Sequence, residues 1–364
     1  MPDLQPPPPA DSPVPETPSS SGLLRSAGVI SAATMTSRLL GLIRDQVLAY
    51  LFGAGNAMDA FYVGFRIPNL MRDLFAEGAM SAAFVPTFTK RLTAEGRTQA
   101  WQLGNQLINA LLIVTGLLVT IGIIFAAPLV MLFAGHFNEV PGKLELATTL
   151  TRIMLPFLSL VAIAAAFMGM LNSLQRFFTP ALSPAMFNLA MIASGFALVP
   201  LMPSVGLPPI AGMAIGALIG GVGQVVLQWP ALHHAGYRYR PILNLRDPGL
   251  REILRLIGPG ILGLAAVQIN LLVNTILATG EGTGAVSWLS YAFRLMYLPI
   301  GLFGVSIATA ALPTLSRQAA REDPEEMRRT ISSGLRLMLI LNVPATLGLV
   351  TLASPIVALI FERG

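Results

Sequence analysis

Arginine residues occur inside long apolar stretches of this 364-residue chain, where charged side chains are rare. The six arginines concerned are Arg38, Arg44, Arg66, Arg72, Arg152 and Arg294. Each arginine near a bilayer centre costs about 2.5–3.5 kcal/mol on insertion scales, so four of them facing lipid would cost ~10 kcal/mol. Acidic residues in or beside the same stretches are Asp45, Asp59, Asp73 and Glu77. The arginines therefore either form internal ion pairs or line a water-filled cavity that receives an anion.

Helical spacing leaves both alternatives open. Arg38 and Asp45 are two helical turns apart and so share a face, as do Arg66 and Asp73, which makes both candidate structural ion pairs. Arg294 has no acidic residue within a turn, which predicts that its charge is available to a ligand. Because the planar guanidinium donates two parallel hydrogen bonds, an anion held by arginines is expected to be a phosphate.

The composition places these residues in a membrane protein. The chain is 54% hydrophobic and 11% charged, with a mean hydropathy of +0.68, whereas soluble domains carry about 25% charged residues. Apolar runs of about 20 residues recur along nearly the whole chain. The sequence therefore predicts an all-α polytopic membrane protein.

Several other classes of function are disfavoured by the residue types. The chain has no cysteine, and adjacent His233 and His234 cannot place two ligands on one helix face, so no metal site is predicted. Basic residues form no stripe interleaved with aromatic residues, so nucleic acid is not expected as a partner. No standard catalytic motif occurs, which favours a transporter over an enzyme.

Nine helical spans follow from the apolar pattern. They are predicted at 24–51, 58–92, 100–134, 146–173, 180–202, 207–235, 250–279, 283–318 and 330–361. Loops on the amino-terminal side carry fifteen basic residues, whereas the opposite loops contribute only Lys143. By the positive-inside rule, the amino terminus is predicted to be cytoplasmic. Residues 1–21 are rich in Pro and Ser, lack the charged and apolar regions of a signal peptide, and are predicted to be a disordered tail.

The sequence also contains an internal repeat. The matching segments are 65–68 with 293–296, 83–87 with 310–314, 127–130 with 354–357, and 40–42 with 262–264. Three of these four matches are separated by 227 or 228 residues. An offset of six helices gives both copies the same orientation, as in transporters built from two parallel halves. We therefore expect a first lobe of six helices at 22–240 and, at 241–364, the first three helices of a truncated second lobe.

Two glycine motifs and one arginine have structural interpretations. Gly212, Gly216 and Gly220 are spaced to form a close-packing helix face. The segment 258–260, Gly-Pro-Gly, is either a hinge within the seventh span or the start of that helix. Arg152 lies near a predicted span end, where its side chain can extend to the interface.

The first two spans and the eighth carry motifs that resemble the MurJ/MviN lipid II flippases. The runs concerned are 37–45 (SRLLGLIRD), 52–55 (FGAG), 59–61 (DAF), 68–72 (PNLMR), 75–79 (FAEGA), 83–86 (AFVP), 291–295 (YAFRL) and 312–315 (LPTL). The resemblance implies a two-lobed transporter of the multidrug/oligosaccharidyl-lipid/polysaccharide superfamily. It further implies that lipid II, an undecaprenyl-diphosphate-linked peptidoglycan precursor, moves from the cytoplasmic to the periplasmic leaflet by alternating access.

The same resemblance implies a set of substrate-binding residues. These are Arg38, Arg44, Asp45, Asp59, Arg72 and Arg294. It also implies a bacterial inner-membrane location, lipid II and membrane lipids as partners, and contact with the cell-wall synthesis machinery. No cofactor is expected, and an ion gradient or the membrane potential would drive transport. An exporter of another lipid-linked oligosaccharide, or of an amphipathic drug, is the alternative on the same fold.

Two residues near Arg294 depart from the family pattern. Phe293 stands where a polar residue is common, and Tyr297 stands where some members have Glu. A carboxylate that balances Arg294 is therefore expected to come from elsewhere in the chain.

Overall fold

The computed structural model describes residues 20–73, 80–321 and 323–362, and every regular element in these ranges is helical. Fourteen α-helices are present in the described ranges. They are α1 Ser20–Phe52, α2 Asn56–Arg72, α3 Met80–Ala94, α4 Arg97–Ile124, α5 Ala126–Ala134, α6 Lys143–Met154, α7 Phe157–Ser173, α8 Phe178–Ala197, α9 Ala211–His234, α10 Pro248–Thr279, α11 Ala285–Pro299, α12 Val305–Ala320, α13 Pro324–Thr351 and α14 Ala353–Phe361. Short 3₁₀ segments follow α5 and α8, and a π-helical segment, Ile300–Gly304, joins α11 to α12. Of the tail predicted at 1–21, residues 1–19 lie outside the described residues, as does Glu77, and Ser20 and Ser21 begin α1 instead.

Each predicted span overlaps one or two of these helices. The pair α4–α5 breaks just before Pro128, and α6–α7 breaks at Pro156. Proline has no backbone N–H to donate and its ring clashes with the preceding turn, so it interrupts the helical hydrogen-bond ladder. Counted over the described residues, six helices or helix pairs are long and apolar enough to cross a membrane. The chain is thus a multi-pass membrane protein, as predicted.

The internal repeat has counterparts in the helix lengths. Helices α4 and α13 are both 28 residues long, and α5 and α14 are both 9 residues long. Corresponding helices begin 227 residues apart, at Arg97 and Pro324 and at Ala126 and Ala353. Pro128 and Pro355 occupy the same place in the two short helices. The two segments therefore share a pattern of helix breaks as well as short sequence matches.

The glycine face of α9 packs closely against α8 and the segment that follows it. A Cβ atom on Gly212 would lie 2.8 Å from the backbone nitrogen of Val199, and one on Gly216 would lie 2.6 Å from the Cβ of Ser194. These distances leave no room for a side chain, so the close-packing interpretation of this motif is confirmed. The main core lies among α2, α3, α4, α6, α7, α8 and α9. This core supports α1, α2 and α11, the helices that carry the predicted site residues.

The segment 258–260 is not the start of a helix. Helix α10 begins ten residues earlier, where the carboxylate of Asp247 accepts a hydrogen bond of 3.1 Å from the backbone N–H of Leu250. Pro259 therefore lies within a long helix, and the interpretation of this motif as a helix start was wrong. The hinge interpretation stays a prediction.

Candidate substrate cavity

A cavity of about 650 Å³ lies between the first half of the chain and helices α10 and α11. Five arginines line it, contributed by three helices: Arg38, Arg44, Arg66, Arg72 and Arg294. Among the lining residues that the structure describes, Asp45 carries the one carboxylate. Five of the six predicted site residues thus share a cavity with a strong excess of positive charge, and the sixth, Asp59, does not line it.

Asp45 is the residue through which the two halves meet in the cavity. Its Oδ1 accepts hydrogen bonds from Arg44, at 3.0 Å from Nε and 2.6 Å from Nη2. Its Oδ2 accepts a hydrogen bond from Nε of Arg294 on α11. The carboxylate that balances Arg294 therefore comes from α1, which explains how the departures at Phe293 and Tyr297 are tolerated.

The ion pairs predicted from helical spacing were wrong. Asp45 pairs with Arg44 and Arg294 rather than with Arg38, and Asp73 receives a 2.8 Å hydrogen bond from Arg72 rather than one from Arg66. Seven residues of helix correspond to a rise of about 10 Å, which is too far for two side chains to meet readily. Arg294 was also expected to have an available charge, but an acidic residue of another helix reaches it.

Arg44 is positioned by residues of α8. Its Nη1 donates to Oδ1 of Asn188 at 3.1 Å, and its guanidinium lies 5.7 Å from the ring centre of Phe187. The Nδ2 of Asn188 in turn donates to the backbone oxygen of Ser37 at 2.9 Å. Asn188 therefore holds both the backbone of α1 and the arginine that α1 presents. No sequence signal marked this residue, because it lies 144 positions from Arg44.

Arg38 makes the second close approach between α1 and the second half. A Cβ atom on Gly301 would lie 1.9 Å from Nη1 of Arg38, so the guanidinium occupies the space that a side chain there would fill. Gly301 belongs to the π-helical segment after α11. The close contact of α1 with this segment depends on a glycine at position 301, because any side chain there would collide with Arg38.

Asp59 is fully buried and joins three helices. It accepts hydrogen bonds from Nζ of Lys143 at 2.9 Å and from the backbone nitrogens of Gly284 and Ser287 at 2.7 and 3.0 Å. The hydroxyl of Ser287 donates a further bond of 2.7 Å. Asp59 thus caps the amino-terminal end of α11, where a negative charge is favoured. In this conformation it holds the two halves together and is not among the residues that line the cavity, and its role in binding substrate stays a prediction.

The contacts around Asp59 connect positions related by the repeat. Thr283 donates a hydrogen bond of 3.1 Å to Asn56, which is 227 residues away, and Ser287 is 228 residues from Asp59. Equivalent positions of two related halves meet where the axis between them passes. This axis therefore runs between α2 and α11. We refer to the contacts of Asn56 and Asp59 with Thr283, Gly284 and Ser287, together with the bond from Lys143 to Asp59, as the clamp.

The linker between α9 and α10 is held against the first half. Asn105 and Asn109 of α4 donate to backbone oxygens of Arg238 and Arg240 at 3.1 and 3.0 Å. Where the linker ends, Asp247 accepts a hydrogen bond of 2.8 Å from Arg91. Burial alone would raise the pKa of Asp247, but the bonds from Arg91 and from the backbone of α10 lower it below its usual value. The charged form of Asp247 thus ties α10 to α3.

Comparison with known proteins identifies the family. A sequence model described as "Lipid II flippase MurJ" matches residues 48–364. A probable lipid II flippase MurJ of Vibrio cholerae is 38% identical over 349 residues, which are 94% of this chain and 66% of the relative. The chain belongs to the MurJ lipid II flippase family. The lipid II flippase MurJ of Burkholderia cenocepacia is 34% identical, again over 94% of this chain and 66% of the relative. This member of the family thus spans about two thirds of the length of these relatives.

Solved structures agree on the fold of this MurJ family member. A lipid II flippase MurJ in an inward closed conformation superposes with a TM-score of 0.76 at 27% identity, over 92% of this chain and 68% of that one. A multidrug resistance transporter of the MATE family and MOP superfamily superposes with a TM-score of 0.70 at 18% identity, over 92% and 75%. The second likeness concerns the fold alone. The first likeness supports the predicted family, and both confirm the predicted all-α fold.

Three residues of the site were not among the predicted substrate-binding residues. Arg66 was noted as a charge in an apolar span but was left out of that set, and Lys143 was counted as the one basic residue in the opposite loops. Asn188 carried no signal at all. Lys143 and Asn188 acquire their roles from partners on distant helices, so the analysis of one span at a time could not assign them. The division into lobes at 22–240 and 241–364 stays a prediction.

Proposed function

We propose that this protein moves lipid II, the undecaprenyl-diphosphate-linked precursor of peptidoglycan, from the cytoplasmic to the periplasmic leaflet of the bacterial cytoplasmic membrane. The observation that carries the proposal is the cavity of about 650 Å³, lined by five arginines and, among the described lining residues, one carboxylate. Membership of the MurJ family supports the choice of substrate. A drug cation would instead favour an excess of carboxylates in the cavity.

A diphosphate that links a lipid to a sugar carries two negative charges. Asp45 compensates one of the charges of Arg44 and Arg294, and Asp73 pairs with Arg72, so the cavity keeps a net positive charge. Planar guanidiniums on α1, α2 and α11 can donate charge-assisted hydrogen bonds from several sides. The head group would thus be held between the halves, where a change in their relative orientation can carry it across.

Alternating access requires the clamp to open and re-form. Asp59 would leave Gly284 and Ser287 when the outer side opens, because these residues belong to the other half. Lys143 lies in the same half as Asp59 and would keep the carboxylate paired. An unpaired buried carboxylate is costly, so this arrangement lowers the cost of opening. We place the clamp on the periplasmic side because the basic loops predict a cytoplasmic amino terminus.

The source of energy and the partners follow from the same proposal. Transport would need no bound cofactor, since moving a lipid between leaflets makes and breaks no covalent bond. An ion gradient or the membrane potential would bias the two orientations of the halves. Contact with the cell-wall synthesis machinery is a further part of the proposal, because the product is a peptidoglycan precursor.

Complementation tests the proposed function. The full-length gene is expressed in bacteria depleted of their own lipid II flippase, beside Arg44→Ala, Arg294→Ala and Arg152→Ala variants. Arg152 is exposed and donates to the backbone oxygen of Ile123 at 3.3 Å, so it controls for loss of an arginine outside the cavity. We expect growth with the parent and Arg152→Ala, and loss of growth with the two cavity variants at equal expression.

Two outcomes would contradict this expectation. A parent that inserts well but does not support growth would move the assignment to another lipid-linked oligosaccharide. Growth with both cavity variants would leave transport in place and remove the arginines from its mechanism.

A further inference from the structure

The glycine face of α9 continues into two glutamines. Its last close-packed glycine is Gly220, and Gln224 and Gln228 follow at the same four-residue spacing. Residues four apart lie on one face of a helix, so this face changes from glycine to glutamine within one turn. A Cβ atom on Gly220 would lie 2.8 Å from an aromatic ring of α8, whereas both glutamines line the cavity. Long polar side chains thus begin where this face of α9 reaches the cavity.

Gln228 is buried and joins three helices. It is 1% exposed, and its Nε2 donates to the backbone oxygen of Ala164 on α7 at 3.2 Å and to Oγ of Ser183 on α8 at 3.1 Å. The same nitrogen lies 3.1 Å from the backbone oxygen of Gln224. Backbone oxygens only accept hydrogen bonds, so these contacts fix the orientation of the amide. Gln228 therefore holds α7, α8 and the turn of α9 that carries Gln224 in one arrangement.

The side-chain amide of Gln224 has no partner on this wall. The residue is half-buried, lines the cavity, and makes no side-chain hydrogen bond to any residue that the structure describes. Its amide atoms are not shielded from solvent, unlike Oε1 of Gln228. A primary amide offers one oxygen that accepts and one nitrogen with two N–H groups that donate. Gln224 thus presents an unused acceptor and unused donors where a ligand in the cavity can reach them.

The part of the cavity wall that α8 contributes beside Gln228 is polar but uncharged. Pro180, Ser183 and Pro184 line the cavity there. Pro184 has no backbone N–H, so the carbonyl oxygen of Pro180 lacks the partner that the next helical turn would supply. The hydroxyl of Ser183 accepts from Gln228 and donates to none of the described residues. A ligand that meets this wall finds donors and acceptors without charge.

The uncharged wall lies close to the arginine side of the cavity along α8. Asn188, which accepts a hydrogen bond from Arg44, follows Ser183 by five residues, a rise of about 7.5 Å. A diphosphate held by the arginines carries a sugar on one side and a lipid on the other. The sugar suits the uncharged wall, because a lipid there would leave polar groups unpaired. The wall is therefore placed to meet the sugar that is bonded directly to the diphosphate.

We propose that Gln224 is a specificity-determining residue that binds the acetamido group of this sugar. The proposal rests on the proposed function, because the sugars of peptidoglycan precursors are N-acetylated. Oε1 of Gln224 would accept from the N–H of the acetamido group, and Nε2 would donate to its carbonyl oxygen. A hydroxyl in the same place carries both functions on one atom and cannot meet both ends of the carboxamide with good geometry. A site built to bind a polar group rejects an analogue that lacks it.

Binding of three lipids that differ only in the sugar tests this assignment. The purified, full-length protein in lipid nanodiscs is titrated with undecaprenyl diphosphate, undecaprenyl-diphosphate-N-acetylglucosamine and undecaprenyl-diphosphate-glucose. We expect the parent to bind the N-acetylated lipid roughly tenfold more tightly than the glucose lipid, the effect of two uncharged hydrogen bonds. Gln224→Met keeps the length of the side chain and removes both polar atoms, so it should abolish this preference. The affinity for undecaprenyl diphosphate should change less than about twofold, because no charge is lost.

Gln99→Met is the matched control, because Gln99 is exposed near the start of α4 and does not line the cavity. It should leave all three affinities unchanged. A parent that binds the two sugar lipids equally would overturn the proposal, and so would a Gln224→Met variant that keeps the preference. An equal loss of all three affinities in Gln224→Met would replace the proposal with a general change in the cavity. Thermal unfolding of each variant checks the fold, and Gln224→Ala, which only removes atoms, keeps the test decisive if Gln224→Met is unstable.

The outcome separates this proposal from the proposed function. If the preference for the N-acetylated lipid depends on Gln224 but the gene fails to complement, the role of Gln224 stands and lipid II transport falls. If the gene complements but the preference does not depend on Gln224, transport stands and the role of Gln224 falls. A parent that binds none of the three lipids overturns the role of Gln224 whatever the complementation shows.

Discussion

At the residue scale, Asp45 sets the charge that the cavity presents. One carboxylate receives hydrogen bonds from Arg44 and Arg294, so it orients two guanidiniums and compensates only one of them. Side chains already held in place lose less conformational freedom when a ligand binds. The cavity is therefore both ordered and positively charged before an anion arrives. A second carboxylate at this place would keep the order and remove the remaining positive charge of Arg44 and Arg294.

Asn188 offers a direct test of that balance. Asn188→Asp replaces the amide oxygen that accepts from Arg44 with a carboxylate of almost the same shape. We expect the affinity for undecaprenyl diphosphate to fall roughly tenfold, since the added negative charge competes with the phosphate for Arg44. Titration in nanodiscs measures the effect. Asn244→Asp adds the same charge in the exposed linker and should change nothing, whereas equal effects of both variants would refute a local role for Asn188.

At the element scale, the contact of α9 with α8 fixes the helix that carries Asn188. Gly212 lies against backbone atoms of Leu198 and Val199, which cannot move aside as a side-chain tip can. Gly212→Ala should therefore destabilise the protein by about 1–3 kcal/mol, as overpacking commonly does. Gly223→Ala on the same helix should be nearly neutral, because its Cβ would meet nothing closer than 3.6 Å. Thermal unfolding in detergent compares them, and equal melting temperatures would contradict the close packing.

The sequence predicted the helices and the fold class well, but it did not predict which charged residues pair with each other. Apolar runs and prolines located α4–α5 and α6–α7, because hydropathy and the loss of a backbone donor act locally. The arginines of the cavity were found for the same reason, since a charge in an apolar span needs a special environment. The predicted ion pairs of these arginines were wrong, because Asp45 pairs with Arg294 of a different helix, 249 residues away. Spacing along one helix carries no information about such a contact.

At the scale of the whole molecule, the repeat explains where the halves touch. The clamp joins positions 225 to 228 residues apart, close to the offset of the sequence repeat. The same repeat makes Arg66 and Arg294 equivalent positions of α2 and α11, and both line the cavity. The symmetry of the repeat thus relates the two sides of the clamp, which must open, and also the two sides of the cavity, which must bind the ligand. The charges of the clamp are not symmetric, however, because Asp59 and Lys143 both belong to the first half.

That asymmetry predicts opposite effects for two variants of the clamp. Asp59→Asn removes the charge that caps α11, which should favour opening of the outer side roughly tenfold. Lys143→Met leaves Asp59 with α11 as its main stabilising partner, so opening should become rarer. Since the chain has no cysteine, Val286→Cys provides a single label site that is buried in the cavity wall beside the clamp. A membrane-impermeant maleimide added outside intact cells measures its rate of exposure.

Opposite effects of the two variants on the labelling rate distinguish release of the clamp from simple loosening of the fold. We expect faster labelling of Cys at position 286 with Asp59→Asn and slower labelling with Lys143→Met, while a Glu281→Cys control in the exposed loop is labelled equally throughout. Faster labelling in both variants would mean that Lys143 only supports packing around Asp59. Labelling of the control from the cytoplasmic side alone would reverse the predicted orientation and place the clamp at the inner side. If Lys143→Met is labelled more slowly while Asp59→Asn is not, Asp59 needs a partner in its own half whenever the clamp is open. Lys143 is that partner.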